Sequence, residues 1–283
     1  MIRRRLIAPI VVLLCAAAVA VPRVAVAQGP AQPRTPTLAL VGGNSGVPAT
    51  KAILDLGGGA NAVVAVIIHR QASGDSTVNL WRKVGAKEVI PVHVKDAATS
   101  GPLLERASII FFAGGGQSEL YDAIKDTPMP GIIRTQYAKG VIVGGTSAGA
   151  AVMSKIMTTG DADLQSMTAG RTQWSEGLGM WPGVIIEQHT LKRQRLARFF
   201  SLVMDHPDHL GVAMDEGTGV VVTGRTMRVI GVSSVTVLDA RRAEVPKQVD
   251  GKPSTGRNMI LHVLTDGMTF DLGDAAPGGG VTR

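Results

Sequence analysis

Residues 140–155, GVIVGGTSAGAAVMSK, hold a serine in a setting suited to nucleophilic attack. An apolar run ending at Val143 leads into Gly144-Gly145-Thr146-Ser147-Ala148-Gly149, and helix-forming residues follow. A nucleophile on such a strand–turn–helix needs small neighbours, because the backbone bends tightly and the hydroxyl must project from the strand end. The next N–H, on Ala148 at the helix start, then faces a developing oxyanion. Gly145 and Gly149 flank Ser147 as G-x-S-x-G, a weak sign by itself in a chain with 35 glycines. The plain alternative is a Gly-rich turn whose serine caps a helix.

A second apolar run, FFA, enters Gly114-Gly115-Gly116-Gln117 ahead of another helix-forming stretch. Adjacent strand ends in a parallel sheet form a ligand crevice, and glycines let backbone N–H groups approach a carbonyl, so Gly115 is a candidate second oxyanion donor. A third turn, Gly42-Gly43-Asn44-Ser45-Gly46, is neither G-x-G-x-x-G nor a P-loop with lysine, which excludes those modes of nucleotide binding.

A serine nucleophile needs a base, and there are six histidines. His69 and His93 fall at or in apolar runs, His206 and His209 in a loop, and His262 in a late strand. His189 closes VIIEQH just before LKRQRLARFFSLVM, where an imidazole can enter a crevice. Composition does not choose among the six. For an orienting carboxylate, Asp215 and Glu216 both follow the apolar run GVAM. His206-Pro-Asp-His209 is not a credible metal pair, since the proline breaks helical i, i+3 geometry. No metal is expected.

These side chains require a scaffold of buried strands. Thr37–Val41, Ala62–Ile68, Glu88–Val94, Ser108–Ala113 and Gly140–Val143 read as strands without polar alternation. Ser76–Val84 and Gln117–Lys125 read as helices between them, and a further helix is predicted over Leu191–Met204. This pattern implies an α/β three-layer sandwich with a mostly parallel central sheet covered on both faces. From Gly211 onward short strands and turns suggest antiparallel additions to one edge of that sheet. One domain, residues 37–275, is expected, with a frayed tail over 276–283.

Taken together, GGTSAGA, the strand-led GGGQ turn, EQHTLKRQRLAR and GVAMDEGTG, in this order and spacing, resemble the cyanophycinase/dipeptidase E family of serine peptidases. The resemblance runs from about Thr37 to Val222 and is closest to the cyanophycinase branch. It implies the fold of class I glutamine amidotransferases, with serine where those enzymes carry cysteine. It further implies Ser147 as nucleophile, His189 as base and Glu216 as the carboxylate that orients it. Gln117, Arg193 and Arg195 would stand where the family binds substrate, here cyanophycin or an aspartyl peptide. Gly116, Thr190 and Glu187 depart from the branch pattern within the cleft. No cofactor is implied, and a homodimer is. The chain order Ser, His, acid differs from the Ser, Asp/Glu, His order of α/β-hydrolases. The other readings are a dipeptidase for small Asp-Xaa or isoaspartyl peptides and a catalytically silent exported binding protein.

The 29 Lys+Arg against 22 Asp+Glu give +7, a charge that raises the question of nucleic acid. Residues 1–27 answer it. Arg3, Arg4 and Arg5 precede an apolar run, and Ala25-Val26-Ala27 is a small-x-small cleavage site: the three parts of a secretory signal peptide. Cleavage before Gln28 would remove four arginines and no acids, leaving 25 against 22, or +3. No basic stripe interleaved with aromatics remains, so nucleic acid is not an expected partner. Cys15, the only cysteine, would leave too, and a cysteine nucleophile with it. Residues 28–36 read as a Pro-rich linker. The expected product is an exported protein, periplasmic or extracellular.

Overall fold

The computed structural model describes residues 35–160 and 166–273. The residues read as a signal peptide (1–27), most of those read as a linker (28–34) and those read as a tail (276–283) lie outside the described residues. The valine- and isoleucine-rich runs form five parallel strands: β1 (Thr37–Val41), β2 (Val63–Ile68), β3 (Glu88–His93), β4 (Ile109–Phe112) and β5 (Ile142–Thr146). β5 extends three residues beyond the expected end and takes in both glycines. A Cβ on Gly144 would stand 1.9 Å from the Ala39 carbonyl oxygen of β1, so only glycine permits this pairing. β10 (Thr218–Thr223), β11 (Thr226–Gly231) and β14 (Thr269–Asp271) continue the sheet antiparallel beyond β1. The order is β14-β11-β10-β1-β5-β4-β2-β3.

The expectation that every late strand joins this sheet is corrected. β9 (Leu210–Met214), β12 (Ser234–Asp239) and β13 (Ile260–Thr265) pair with β8 (Val184–Gln188) in a separate four-stranded sheet, order β13-β12-β9-β8. The remaining pair, β6 (Ile156–Thr158) and β7 (Trp174–Glu176), forms a two-stranded ribbon.

One face of the large sheet, with Ala39, Val64, Val66 and Phe111, packs on α1 (Gly46–Leu56) and α2 (Gln71–Lys83) through Ile53, Val78 and Trp81. The other face carries Leu38, Leu40, Ile67, Ile110 and Val143. It meets α3 (Gly101–Glu105), α4 (Gln117–Ile124), α5 (Met129–Ala138) and α6 (Ala148–Ala151), and also the inner side of the second sheet through Val184, Ile186, Leu210 and Val212. Alternate residues Ile185 and Ala213 point the other way, onto Phe199, Leu202 and Val203 of α7 (Leu196–Asp205). Each fully buried aliphatic side chain contributes roughly 1.5–3 kcal/mol, so both sheets are held by burial on two sides. Among the described residues no helix is long and apolar enough to cross a membrane.

Candidate active site

Ser147 stands between β5 and α6 with φ 55° and ψ −118°, a conformation that L-residues avoid at a cost of about 1–3 kcal/mol. Three backbone hydrogen bonds hold it there. Its N–H donates to the Val41 carbonyl of β1 (3.0 Å), and its own carbonyl accepts from Ala150 (2.9 Å) and Ala151 (3.0 Å). The sharp bend delivers the hydroxyl to the carboxyl ends of the parallel strands. Ala148, in the first turn of α6, has no intrahelical acceptor for its N–H. On the neighbouring strand end, Gly115 has φ +151°, and its N–H makes no backbone hydrogen bond among the described residues.

His189 follows β8 and also lies at positive φ, 52°. Its N–H donates to the Gly42 carbonyl at 2.7 Å, and its carbonyl accepts from Arg193 at 2.9 Å. The adjacent Gly43 lies flat against the imidazole: a Cβ there would fall 2.1 Å from Cε1. The turn after β1, rejected for nucleotides, is thus the wall on which the histidine rests. Its five consecutive small or turn-forming residues were the visible signal, but nothing local tied them to His189.

The two side chains meet. Ser147 Oγ is 2.7 Å from His189 Nε2, and His189 Nδ1 is 2.7 Å from Glu216 Oε1. With the serine hydroxyl donating to Nε2, Nδ1 carries the proton and donates to the carboxylate; this tautomer is assigned from the network. Burial lowers the His189 pKa below the ordinary 6.5; the Glu216 hydrogen bond opposes this, and the positive charge of Arg193 adds to it. The imidazole is therefore neutral near pH 7, as a proton acceptor must be. Of the two carboxylate candidates, Asp215 is engaged elsewhere: it accepts the Lys192 N–H at 3.0 Å and the Ser233 hydroxyl at 3.2 Å. The remaining histidines do not touch Ser147; His209, for instance, bonds Asp208.

The residues tied to substrate by resemblance separate into different environments. Arg193 is exposed beside His189, and no carboxylate among the described residues pairs with it. Gln117 is 5% exposed and donates its amide to the Thr158 carbonyl at 2.9 Å. Arg195, read as a substrate contact, is instead 7% exposed and donates through Nη1 to the Gln188 carbonyl at 3.0 Å. It braces the segment before His189. The helix expected from Leu191 begins only at Leu196, because Gln194 turns back at φ +54° and Arg195 N–H closes onto the Thr190 carbonyl.

Glu187, one of the departures from the branch pattern, is fully buried and bidentate with the equally buried Arg198: Oε2 to Nε and Oε1 to Nη2, both 2.7 Å. Sequence reading left this pair out, although an acid in the otherwise apolar VIIEQ demands a buried cation. Among the described residues no group of three His, Cys, Asp or Glu side chains could hold a metal ion.

Comparison with known proteins agrees with this architecture. Residues 70–230 match the model of peptidase family S51. The chain is 35% identical to a cyanophycinase of Synechococcus elongatus, over 76% of this chain and 71% of that protein. It is 32% identical to a cyanophycinase of Geminocystis herdmanii, over 80% and 88%. In three dimensions it is similar to the crystal structure of a peptidase from an acI-B1 actinobacterium, with TM-score 0.58 and 21% identity over 84% of this chain and 98% of that one. That structural likeness supports the fold, a glutamine amidotransferase-like α/β arrangement, while the sequence matches run through the Ser147 elbow and both strands that bring His189 and Glu216. On them the chain belongs to peptidase family S51, the cyanophycinase and dipeptidase E family, and is a serine-type peptidase.

Proposed function

We propose that the protein is an exported peptidase that hydrolyses aspartyl or isoaspartyl amide bonds, with cyanophycin as its polymer substrate, through Ser147, His189 and Glu216. The observation that carries this reading is the unbroken relay from Ser147 Oγ through His189 to Glu216, two contacts of 2.7 Å each. The relatives named cyanophycinase supply the substrate class.

In this mechanism the Ser147 oxygen attacks the scissile carbonyl as its proton passes to His189 Nε2. Glu216 accepts the Nδ1–H hydrogen bond and stabilises the imidazolium. The N–H groups of Ala148 and Gly115 receive the negative charge that develops on the carbonyl oxygen. The imidazolium then protonates the departing amine, leaving an ester on Ser147. Water, deprotonated by His189, releases the acid and restores the serine. Arg193, exposed and with no carboxylate partner among the described residues, is suited to draw an acidic part of the substrate to the cleft; Gln117 supports the adjoining wall.

Export fits attack on a polymer outside the cell, and the Arg3–Arg5 cluster, the apolar run and Ala25-Val26-Ala27 support it. The test is release of dipeptide from insoluble cyanophycin, beside a panel of small aspartyl dipeptides, by the parent and by Ser147→Ala. The parent is expected to turn over the polymer and to form a phosphonate adduct on Ser147; the variant should do neither. Turnover retained by Ser147→Ala would sink the assignment. Dipeptide hydrolysis without polymer hydrolysis would move the substrate to small peptides.

A further inference from the structure

β2 and β4 are neighbours in the large sheet, so the turns that leave them, at Arg70 and at Gly114–Gly116, lie side by side. The second turn carries Gly115, the oxyanion donor of the mechanism above, and its backbone is weakly held. Three glycines stand in a row, with Gly115 at φ +151°, and glycine loses more conformational freedom on folding than any other residue. Before the turn, the Ala113 N–H donates to the Ile67 carbonyl at 3.0 Å; after it, the Gly116 carbonyl accepts from Leu120 at 3.0 Å. Between them, no N–H or carbonyl of Gly114 or Gly115 makes a hydrogen bond among the described residues. An oxyanion donor works by being fixed before the charge develops, so this turn needs a restraint from outside itself.

Two side chains supply one. Arg70 lays its aliphatic stem on Gly115: a Cβ there would stand 3.4 Å from Arg70 Cγ and 3.5 Å from Cδ. Glu119, in the first turn of α4, folds back over Gly116, where a Cβ would fall 2.5 Å from the Glu119 Cδ. Arg70 Nη2 then donates to Glu119 Oε1 at 3.2 Å and closes a strap over the turn. The two side chains are 58% and 57% exposed, so the pair adds little to folding stability. On the other side of the turn, a Cβ on Gly114 would stand 3.5 Å from the Ser147 Cβ. The turn is thus held between the strap and the nucleophile.

We propose that Arg70 and Glu119 are positioning residues, whose ion pair clasps Gly115 and Gly116 and holds the Gly115 N–H toward the carbonyl oxygen that Ser147 attacks. The proposal rests on Ser147 being the nucleophile and Gly115 an oxyanion donor. It gives Gly116, a departure from the branch pattern, a physical reason: a side chain there would displace the Glu119 carboxylate. Neither charge has to touch the substrate.

The test is the second-order rate at which an uncharged alkyl fluorophosphonate labels Ser147 in the full chain. The phosphoryl oxygen of the probe takes the place of the oxyanion, so no peptide substrate enters the measurement. Arg70→Ala, Glu119→Ala and Gly116→Ala should each slow labelling about tenfold, part of the roughly hundred- to thousand-fold that loss of an oxyanion donor costs. Their urea midpoints should stay close to the parent's. Arg70→Ala/Glu119→Ala should be no slower than the slower single variant, because the pair acts as one unit. Arg70→Lys, which keeps a stem and a charge, should retain most of the parental rate. A surface pair with no bearing on the turn would leave every rate at the parental value. A direct field on the oxyanion would give opposite signs, Glu119→Ala faster and Arg70→Ala slower. Either result, or additive losses in the double variant, would overturn the clasp while Ser147 is still labelled in the parent. A parent that forms no adduct on Ser147 would overturn the proposed mechanism and the clasp with it.

Discussion

At the scale of single residues, two side chains occupy backbone conformations that the chain would not adopt freely. Ser147 and His189 both have positive φ, and each is pinned by hydrogen bonds to the segment that runs from Val41 to Gly42. One short stretch at the end of β1 therefore sets the distance between hydroxyl and imidazole. The titration of His189 follows from its surroundings: burial lowers its pKa, Glu216 raises it, and Arg193 lowers it. In the proposed mechanism His189 acts unprotonated, so kcat/KM should rise with pH through a midpoint below 6.5 and then level off. Glu216→Gln removes the group that raises the pKa, so the midpoint should move further down. The rate should fall roughly a hundred- to ten-thousand-fold as the imidazole loses its oriented tautomer. An unmoved acid limb in Glu216→Gln would show that another group sets it.

At the scale of elements, β8 and α7 meet through charge. Glu187 at the end of the strand and Arg198 in the helix form a pair with no exposed side-chain surface. Glu187 also accepts the Gln188 N–H at 2.9 Å, and Arg195 stands 3.7 Å from it. This network fixes the residues immediately before His189. Arg198→Met would strip the buried carboxylate of its bidentate partner, leaving only Arg195 at 3.7 Å, and should cost about 3–5 kcal/mol in urea unfolding. The double change Glu187→Leu with Arg198→Met should recover part of that loss, because the buried carboxylate is gone while Arg195 keeps its hydrogen bond to the Gln188 carbonyl. A single variant as stable as the parent would mean that water or another cation reaches Glu187.

At the scale of the whole molecule, two sheets are stacked so that strand ends from both converge. The large sheet contributes Ser147 and Gly115, the second sheet His189, and the link between β9 and β10 contributes Glu216. The signal-peptide pattern in residues 1–27 makes a mass-spectrometric prediction: the chain recovered outside the cytoplasm should begin at Gln28. Recovery of full-length chain in the membrane fraction would point to an anchor instead.

The sequence by itself determined the strand–turn–helix around Ser147, the five parallel strands and two of the helices between them, α2 and α4, since each depends on local pattern: unbroken β-branched runs, glycines beside a serine, helical spacing. Local pattern left open which histidine faces Ser147 and which of Asp215 and Glu216 lies beyond it; the family resemblance implied His189 and Glu216, and the tertiary structure brings those two to Ser147 and turns Arg195 inward onto the Gln188 carbonyl. These choices depend on contacts between residues 42, 147, 189 and 216, which no local period encodes. It also decided the second sheet. GVAM and VIIEQ are buried on both faces, so their composition matches that of a strand in either sheet, and only packing against α7 on one side and the large sheet on the other assigns them.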